Sequence, residues 1–441
     1  MSCPSAAINL GGMEKAPTNR ADGARCGQRR NLALFLASQV TSHSGAWLQF
    51  VALAWLAAEL TGSGAALGWI AAVVFGPLLV LGPLTGALAD RADKHRLLIA
   101  TQLLVVGQGV ALGALIITGA TSLAVLYGLA LVFGVLHAVE NPVRRAFLAE
   151  LVGKDDISRA VSLNGAITAT GRILGPAAAG TLIASAGVGW CFIAGAIGYA
   201  VSLGALALIQ RSALYITAVV REPRAVRAGL RYVWQVPELR IALTLTAVVA
   251  TFGFNHQVLI PLLAEQTFAG GVGAYTLLYT AIGVGSVLGA LSVSRCNGID
   301  VRFLVVAVTG FAAANGLIAL SPNLAVAVFA CSATGFTASL FVTASAALLQ
   351  RRCADGMRGR VLALSSMVLL GGLPIGGPIV GWICDAAGPR SGVAIGSLAA
   401  LLAAALVMRH LPQHVPAPPR FDPVRRFVVG RAEDNSLIGA S

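Results

Sequence analysis

Charge is what this chain has least of. Only 11% of its 441 residues are Asp, Glu, Lys or Arg, against roughly 25% in soluble globular domains, and the mean hydropathy is +0.81. That deficit excludes an ordinary soluble fold. Acidic residues are the scarcer sign, 18 against 31 Lys and Arg. Glu59, Glu140, Glu265 and Asp385 all fall near the ends of apolar stretches, which leaves no carboxylate at mid-depth. The seven cysteines (Cys3, Cys26, Cys191, Cys296, Cys331, Cys353, Cys384) form no CxxC pair and no metal-ligand spacing, so neither a disulfide nor a metal is expected. The chain has no GxxxxGK[ST] loop and no HExxH, which argues against ATP hydrolysis and zinc-protease chemistry. No catalytic set emerges; an enzyme is not expected, nor is a cofactor. The polar first 30 residues, with Arg20, Arg25, Arg29 and Arg30, lack the apolar core of a signal peptide.

What is present is apolar length. Twelve stretches stand out, at roughly 32–60, 67–89, 97–118, 122–140, 160–186, 190–210, 241–264, 273–294, 303–320, 324–349, 360–386 and 391–411. Most reach the ~20 residues that cross a bilayer as a helix, and helices satisfy their own backbone in lipid. The net charge of +13 does not signal nucleic acid. Of the 31 Lys and Arg, 29 fall in the tails, in the even-numbered loops or at the span ends bordering them, leaving Arg172 and Arg390. That is positive-inside topology, with both termini cytoplasmic.

The expected domains are a tail over 1–30, a six-helix bundle over 31–210, a linker over 211–240, a second bundle over 241–411 and a tail over 412–441. In the linker, Val226, Leu230, Val233 and Trp234 recur at helical spacing, with Arg227 and Arg231 on another side. This predicts an amphipathic helix on the inner leaflet. The bundles read as repeats. A shift of 201 residues lays Arg159 and Leu163 on Arg360 and Leu364, and Gly175, Gly180 and Gly187 on Gly376, Gly381 and Gly388. Two such halves, with substrate held between them, are how transporters are built.

The most informative run is Gly82–Arg96, GPLTGALADRADKHR. Gly86 allows close helix approach. Asp90 is suited to cap or face a helix N-terminus, and Arg91, Lys94 and Arg96 to exchange carboxylate partners between states. Gly86-x-Leu88-Ala89-Asp90-Arg91 with Lys94 and Arg96 resembles the loop 2–3 motif of major facilitator superfamily transporters. In that family the loop latches the two halves at the cytoplasmic face when the carrier opens outward. Asp93 stands where the family commonly has Gly. In span 5, Gly171, Gly175, Pro176 and Gly180 resemble the motif of the family's drug:proton antiporters, with Ala179 in place of a second Gly. Ordinary small-residue packing is the competing reading.

Several polar residues are candidates for a substrate or proton pathway. Arg172 lies deep in span 5, on one face with Asn164 and Thr168. It either pairs an anion or bonds to carbonyls. Gln39, Ser42, His43 and Gln49 share an arc of span 1 that should line a cavity, and His43 either takes up a proton or is satisfied as a neutral ring. Asn255 and His256 on span 7 carry the same ambiguity. Tyr275 and Tyr279 are one turn apart and suit either stacking on a flat substrate or core packing. Glu140, at the end of span 4 with His137 before it and NPVRR after it, is a proton carrier or an arginine's partner, the latter slightly favoured.

Residues 31–411 as a whole resemble the drug:proton antiporter branch that includes enterobactin exporters and macrolide efflux proteins. The carrying segments are SQVTSHSGAW (Ser38–Trp47), LTGSGAALG (Leu60–Gly68), LADRADKHR, NPVRRAF (Asn141–Phe147) and GRILGPA (Gly171–Ala177). The resemblance implies an all-α membrane protein of twelve transmembrane helices in two pseudo-symmetric six-helix bundles. It further implies a monomer in a bacterial inner membrane that exports an amphipathic drug, macrolide or siderophore by alternating access in exchange for protons. The alternatives are an importer or lipid-type flippase of the same fold, and a non-transporting sensor.

Overall fold

The computed structural model describes residues 16–152, 157–211, 225–293 and 299–410. The first six long helices are α1 (Ala16–Thr61), α2 (Gly64–Arg91), α3 (Lys94–Ile117), α4 (Leu123–Leu151), α5 (Ile157–Ala186) and α6 (Val188–Ala207). A short α7 (Ala225–Gln235) precedes α8 (Pro237–Val248) and α9 (His256–Leu262), two pieces of a single traverse. The set ends with α10 (Gly271–Val293), α11 (Val301–Leu320), α12 (Leu324–Arg352), α13 (Arg358–Ala387) and α14 (Pro389–His410). No strand occurs among the described residues. With α8 and α9 counted together, the described residues make twelve traverses.

Ten of these segments are long and apolar enough to cross a membrane, and α5 adds the shorter apolar piece Ile173–Ala186. The polar residues Gln39, Ser42, His43 and Gln49 explain why α1 is not among the ten. The connections are tight because side chains cap the helices. Ser63, Ser122, Asp300 and Asn323 each accept the amide three residues on, which satisfies donors that a helix start otherwise leaves open. The repeat is visible in backbone geometry: Gly187 (φ +96°) and Gly388 (φ +86°), 201 residues apart, make the same turn between α5 and α6 and between α13 and α14. A side chain is strained at such angles.

Helix packing follows the small residues. α1 packs on α5 and α6, α3 on α4 and α6, and α2 on α4; likewise α12 packs on α10 and α11, and α11 on α14. α2 against α13 and α5 against α10 join the two sets. The end of the bundle that holds the start of α1 and the close of α14 is called here the terminal end, and the other the opposite end. Near the opposite end α2 and α13 touch backbone to backbone: a Cβ at Gly64 would strike the Gly381 carbonyl, and one at Gly68 the Gly377 carbonyl. Glycine pairs permit such approach between membrane helices.

Four boundaries differ from the sequence expectations. α1 starts at Ala16, so helix takes in half of the segment read as an N-terminal tail; Pro17 sits in its first turn, where a missing N–H costs nothing. α4 runs on to Leu151 through Pro142, where the apolar pattern ended at residue 140. The seventh traverse is broken: wider π turns span Val249–Gly253 and Leu263–Thr267, and Phe254–Asn255 are not helical. Gly253 weakens the helix there, and Pro261 has no N–H to return to the preceding turn. In α7 Gly229, Tyr232 and Val233 are buried, whereas Leu230 and Trp234 face outward at 45% and 60% exposure, so the expected apolar face is split between protein and surroundings; the Val226 side chain lies outside the described residues.

Two glycines give opposite expectations. A Cβ at Gly376 would meet the Thr251 carbonyl, while one at Gly76 meets nothing within 4 Å. Gly376→Val is expected to cost about 1–3 kcal/mol and to lower the melting temperature in detergent. Gly76→Ala is expected to leave it unchanged or slightly raised; equal effects would show that the contact between α13 and the π turn at Val249–Gly253 is not as close as described.

Candidate functional site

The loop between α2 and α3 is organised by Asp93. Its carboxylate accepts the Arg96 amide at 3.1 Å and so caps α3, a role the sequence reading offered to Asp90. Asp90 instead belongs to the last turn of α2. Arg96 and Arg211 approach Asp93 at 3.4 and 3.3 Å. Partial burial works to raise the Asp93 pKa, but the Arg96 amide and the two guanidinium charges outweigh it and hold the carboxyl below its ordinary range. Lys94 pairs with Glu150 at the end of α4, 2.6 Å away. His95 lies beneath: its Nε2 donates to the Leu206 carbonyl (2.8 Å), and its Nδ1 is thereby left to accept from Arg211 (3.0 Å). The basic residues therefore tie α3 to α4 and to the end of α6. Arg91 is exposed. Gly86, Asp90 and Arg172 stand on described helices, but their surroundings lie outside the described residues.

The span 5 glycines do two separate things. A Cβ at Gly171 would touch His43, and one at Gly175 would strike Trp47, so these two seat α5 on α1. Gly180 meets Thr276 of α10, across the seam between the two sets of helices. Pro176 is buried between them. Asn164 and Thr168 share a face, with the Thr168 hydroxyl donating to the Asn164 carbonyl at 2.9 Å.

The densest polar cluster lies within the first six helices. Arg144 on α4, only 8% exposed, donates to Gln39 Oε1 (2.5 Å) and to Ser42 Oγ (2.9 Å) on α1. Its other terminal nitrogen bonds to Glu140, one turn earlier on α4. Gln102 of α3 donates to the same Glu140 oxygen at 3.2 Å. The remaining Glu140 oxygen faces His137 Nδ1 at 4.0 Å, and the His137 ring stacks on Phe133 (centroids 5.6 Å, 17°). Gln39, Ser42, Gln102 and Glu140 are all buried. Among the described residues, Gln102 Oε1 and His137 Nδ1 have no hydrogen-bond partner, and neither does either polar atom of the Gln49 amide or Gln108 Oε1. Gln49 and Gln108 line a small cavity with Phe50, Leu53 and Phe133.

Sequence reasoning named Gln39 and Glu140 and slightly favoured a nearby arginine as the partner of Glu140; the structure shows that arginine to be Arg144, one helical turn on. Gln102 was missed. Glu140 is not at a span end, as expected, but inside α4.

The other candidates are elsewhere. Asn255, 1% exposed, sits in the break of the seventh traverse and donates to the Thr251 carbonyl at 2.7 Å. His256 stands edge-on to Phe311 (centroids 6.5 Å, 84°), and among the described residues Asn255 Oδ1 and His256 Nε2 have no hydrogen-bond partner. Tyr275 stacks on Trp55 (5.5 Å, 24°) and donates to the Val51 carbonyl at 3.1 Å. Tyr279 faces Trp47 (6.3 Å), which leads through Phe50 to Phe75. Both tyrosines thus lie on the seam against α1.

A twelve-traverse helical bundle with a charged pair buried in one half is a membrane carrier of the major facilitator type. Residues 28–419 match the transmembrane secretion effector family model, and the chain belongs to that family of major facilitator transporters. It is 24% identical to the staphyloferrin A transporter of Staphylococcus aureus, over 80% of this chain and 89% of that one. It is 25% identical to the multidrug efflux pump Tap of Mycolicibacterium fortuitum, over 82% and 91%. The solved structure of the nucleoside transporter NupG superposes with a TM-score of 0.66 at 13% identity, over 87% of this chain and 98% of that one; this likeness is one of fold.

Removing one partner of a buried pair strands the other charge. Glu140→Ala is expected to cost about 3–5 kcal/mol and to lower the melting temperature sharply, and Glu140→Ala with Arg144→Met to recover most of the loss. Additive losses in the double variant would show that the two side chains are not coupled.

Proposed function

We propose that this protein is a secondary exporter that moves an amphipathic small molecule out of the cell by alternating access, in exchange for protons. The observation that carries the reading is the Glu140–Arg144 pair. An ionisable pair inside a membrane helix is costly and is kept where ions or protons move. Arg144 also bonds to Gln39 and Ser42, so it keeps acceptors if it parts from Glu140. Gln39 and Ser42 belong to α1, which also faces the seam.

The seam suits an amphipathic compound. Tyr279, Trp47, Phe50 and Phe75 form a continuous aromatic run from α10 through α1 to α2, on which a flat apolar ring system can stack. The relatives support export and the substrate class: one is a multidrug efflux pump and another transports the siderophore staphyloferrin A. The placement of 29 of the 31 basic residues supports a cytoplasmic terminal end in a bacterial inner membrane. The two halves, 31–210 and 241–411, are then the bodies that rock about the seam, and one copy suffices.

The test is uptake into everted vesicles under an imposed proton gradient, with a panel of dyes, drugs and a siderophore. Wild type should accumulate at least one compound only when the gradient is present. Glu140→Gln, which keeps the hydrogen bonds but not the titration, should lose roughly tenfold or more of that uptake. Gradient-dependent uptake that survives Glu140→Gln would remove the pair from coupling; no gradient-dependent uptake by wild type would overturn the antiport reading.

A further inference from the structure

The turn between α1 and α2 is gripped from the other half of the molecule. Asp385, in the last turn of α13, reaches the first turn of α2, more than three hundred residues earlier in the chain. Its Oδ1 accepts the Gly64 amide at 2.5 Å, and its Oδ2 accepts the Ala65 amide at 3.0 Å and the Ser63 hydroxyl at 2.8 Å. Ser63 Oγ in turn accepts the Ala66 amide at 3.3 Å. The amides of residues 64, 65 and 66 are thus satisfied by a carboxylate and the serine it orients. A helix start carries unpaired N–H groups and partial positive charge, so this carboxylate completes α2 electrostatically as well as by hydrogen bonds. Gln266, at the close of the seventh traverse, donates to the Gly62 carbonyl at 3.0 Å. Beneath these contacts the backbones at Gly64 and Gly381, and at Gly68 and Gly377, lie against each other.

We propose that Asp385, assisted by Gln266, is the latch that holds the two halves together at the opposite end and that must release for that end to open. The proposal rests on the alternating-access reading above. The glycine contacts give close fit but no charge, and they slide apart without leaving a polar group bare. Asp385 differs: separating α13 from α2 frees a carboxylate and uncovers two backbone amides and a hydroxyl at once, all of which water must then take over. The latch therefore sets how often the opposite end opens rather than what is transported.

The experiment measures the opening directly. Spin labels are attached at Thr118→Cys and Pro322→Cys, exposed positions on the turns after α3 and α11, with Cys3, Cys26 and Cys296 replaced; Cys191, Cys331, Cys353 and Cys384 are buried. Distance distributions are recorded in lipid nanodiscs without substrate. Asp385→Ala is expected to raise the population at long distance roughly fivefold, the effect of removing a helix cap. Gln266→Ala should raise it less, and Asp385→Glu should return it toward wild type. Identical distributions for wild type and Asp385→Ala would overturn the latch. If Asp385→Ala does not elute as folded protein, Asp385→Asn, which keeps size and one acceptor but not the charge, decides by the same comparison. Vesicle uptake on the same proteins separates the two claims. Shifted distances with no uptake by any protein would keep the latch and contradict the transport reading. Unshifted distances with uptake intact would do the reverse.

Discussion

A guanidinium taken out of water must be compensated where it sits, and in this protein that requirement shapes the first half. Arg144 is held by Glu140, Gln39 and Ser42, and Gln102 ties the carboxylate to α3. One buried charge therefore fixes the rotation of α1, α3 and α4 relative to one another. Helices that associate in lipid gain little from hydrophobic burial, so polar contacts of this kind decide register. The same contacts make the cluster poised rather than inert. Arg144 has neutral acceptors on α1 and a carboxylate on α4, and it can shift between them.

The seam between the halves is built on a different principle. It relies on glycine for close approach, on aromatic rings for a surface and on Asp385 and Gln266 for the only charged or amide side-chain bonds described across it. Such an interface is tight yet separable. The charged contact lies at its rim, where water can replace it, and its interior consists mainly of small and apolar groups, with the buried Tyr275–Val51 hydrogen bond among them. The strong coupling inside one half and the separable seam between halves are what rigid-body rocking demands.

Much of the fold was legible in the sequence. The twelve traverses followed from apolar length, and the repeat followed from glycines that recur 201 residues apart, two of which make the same positive-φ turn. The site was legible only in part. Gln39 and Glu140 were found because polar residues stand out in apolar helices, and an arginine of NPVRR was the favoured partner of Glu140, but which arginine it is depends on α4 continuing through Pro142. Gln102 gave no signal of its own. The break at Phe254–Asn255 left no periodic signal, since it depends on how Gly253 and Pro261 act together with the packing of α13. Asp385 looked like a span-end carboxylate, and only the fold shows what it caps.

The central claim is that cargo is exchanged for protons and that the Glu140–Arg144 pair takes part in the exchange. It is tested most directly by adding a compound that the vesicles accumulate to purified protein in weakly buffered solution and following pH with an indicator dye. The account predicts that binding releases protons from wild type, about one per protein, and that Glu140→Gln releases none while still binding the compound. Release of the same size from both proteins, or none from either, would contradict it.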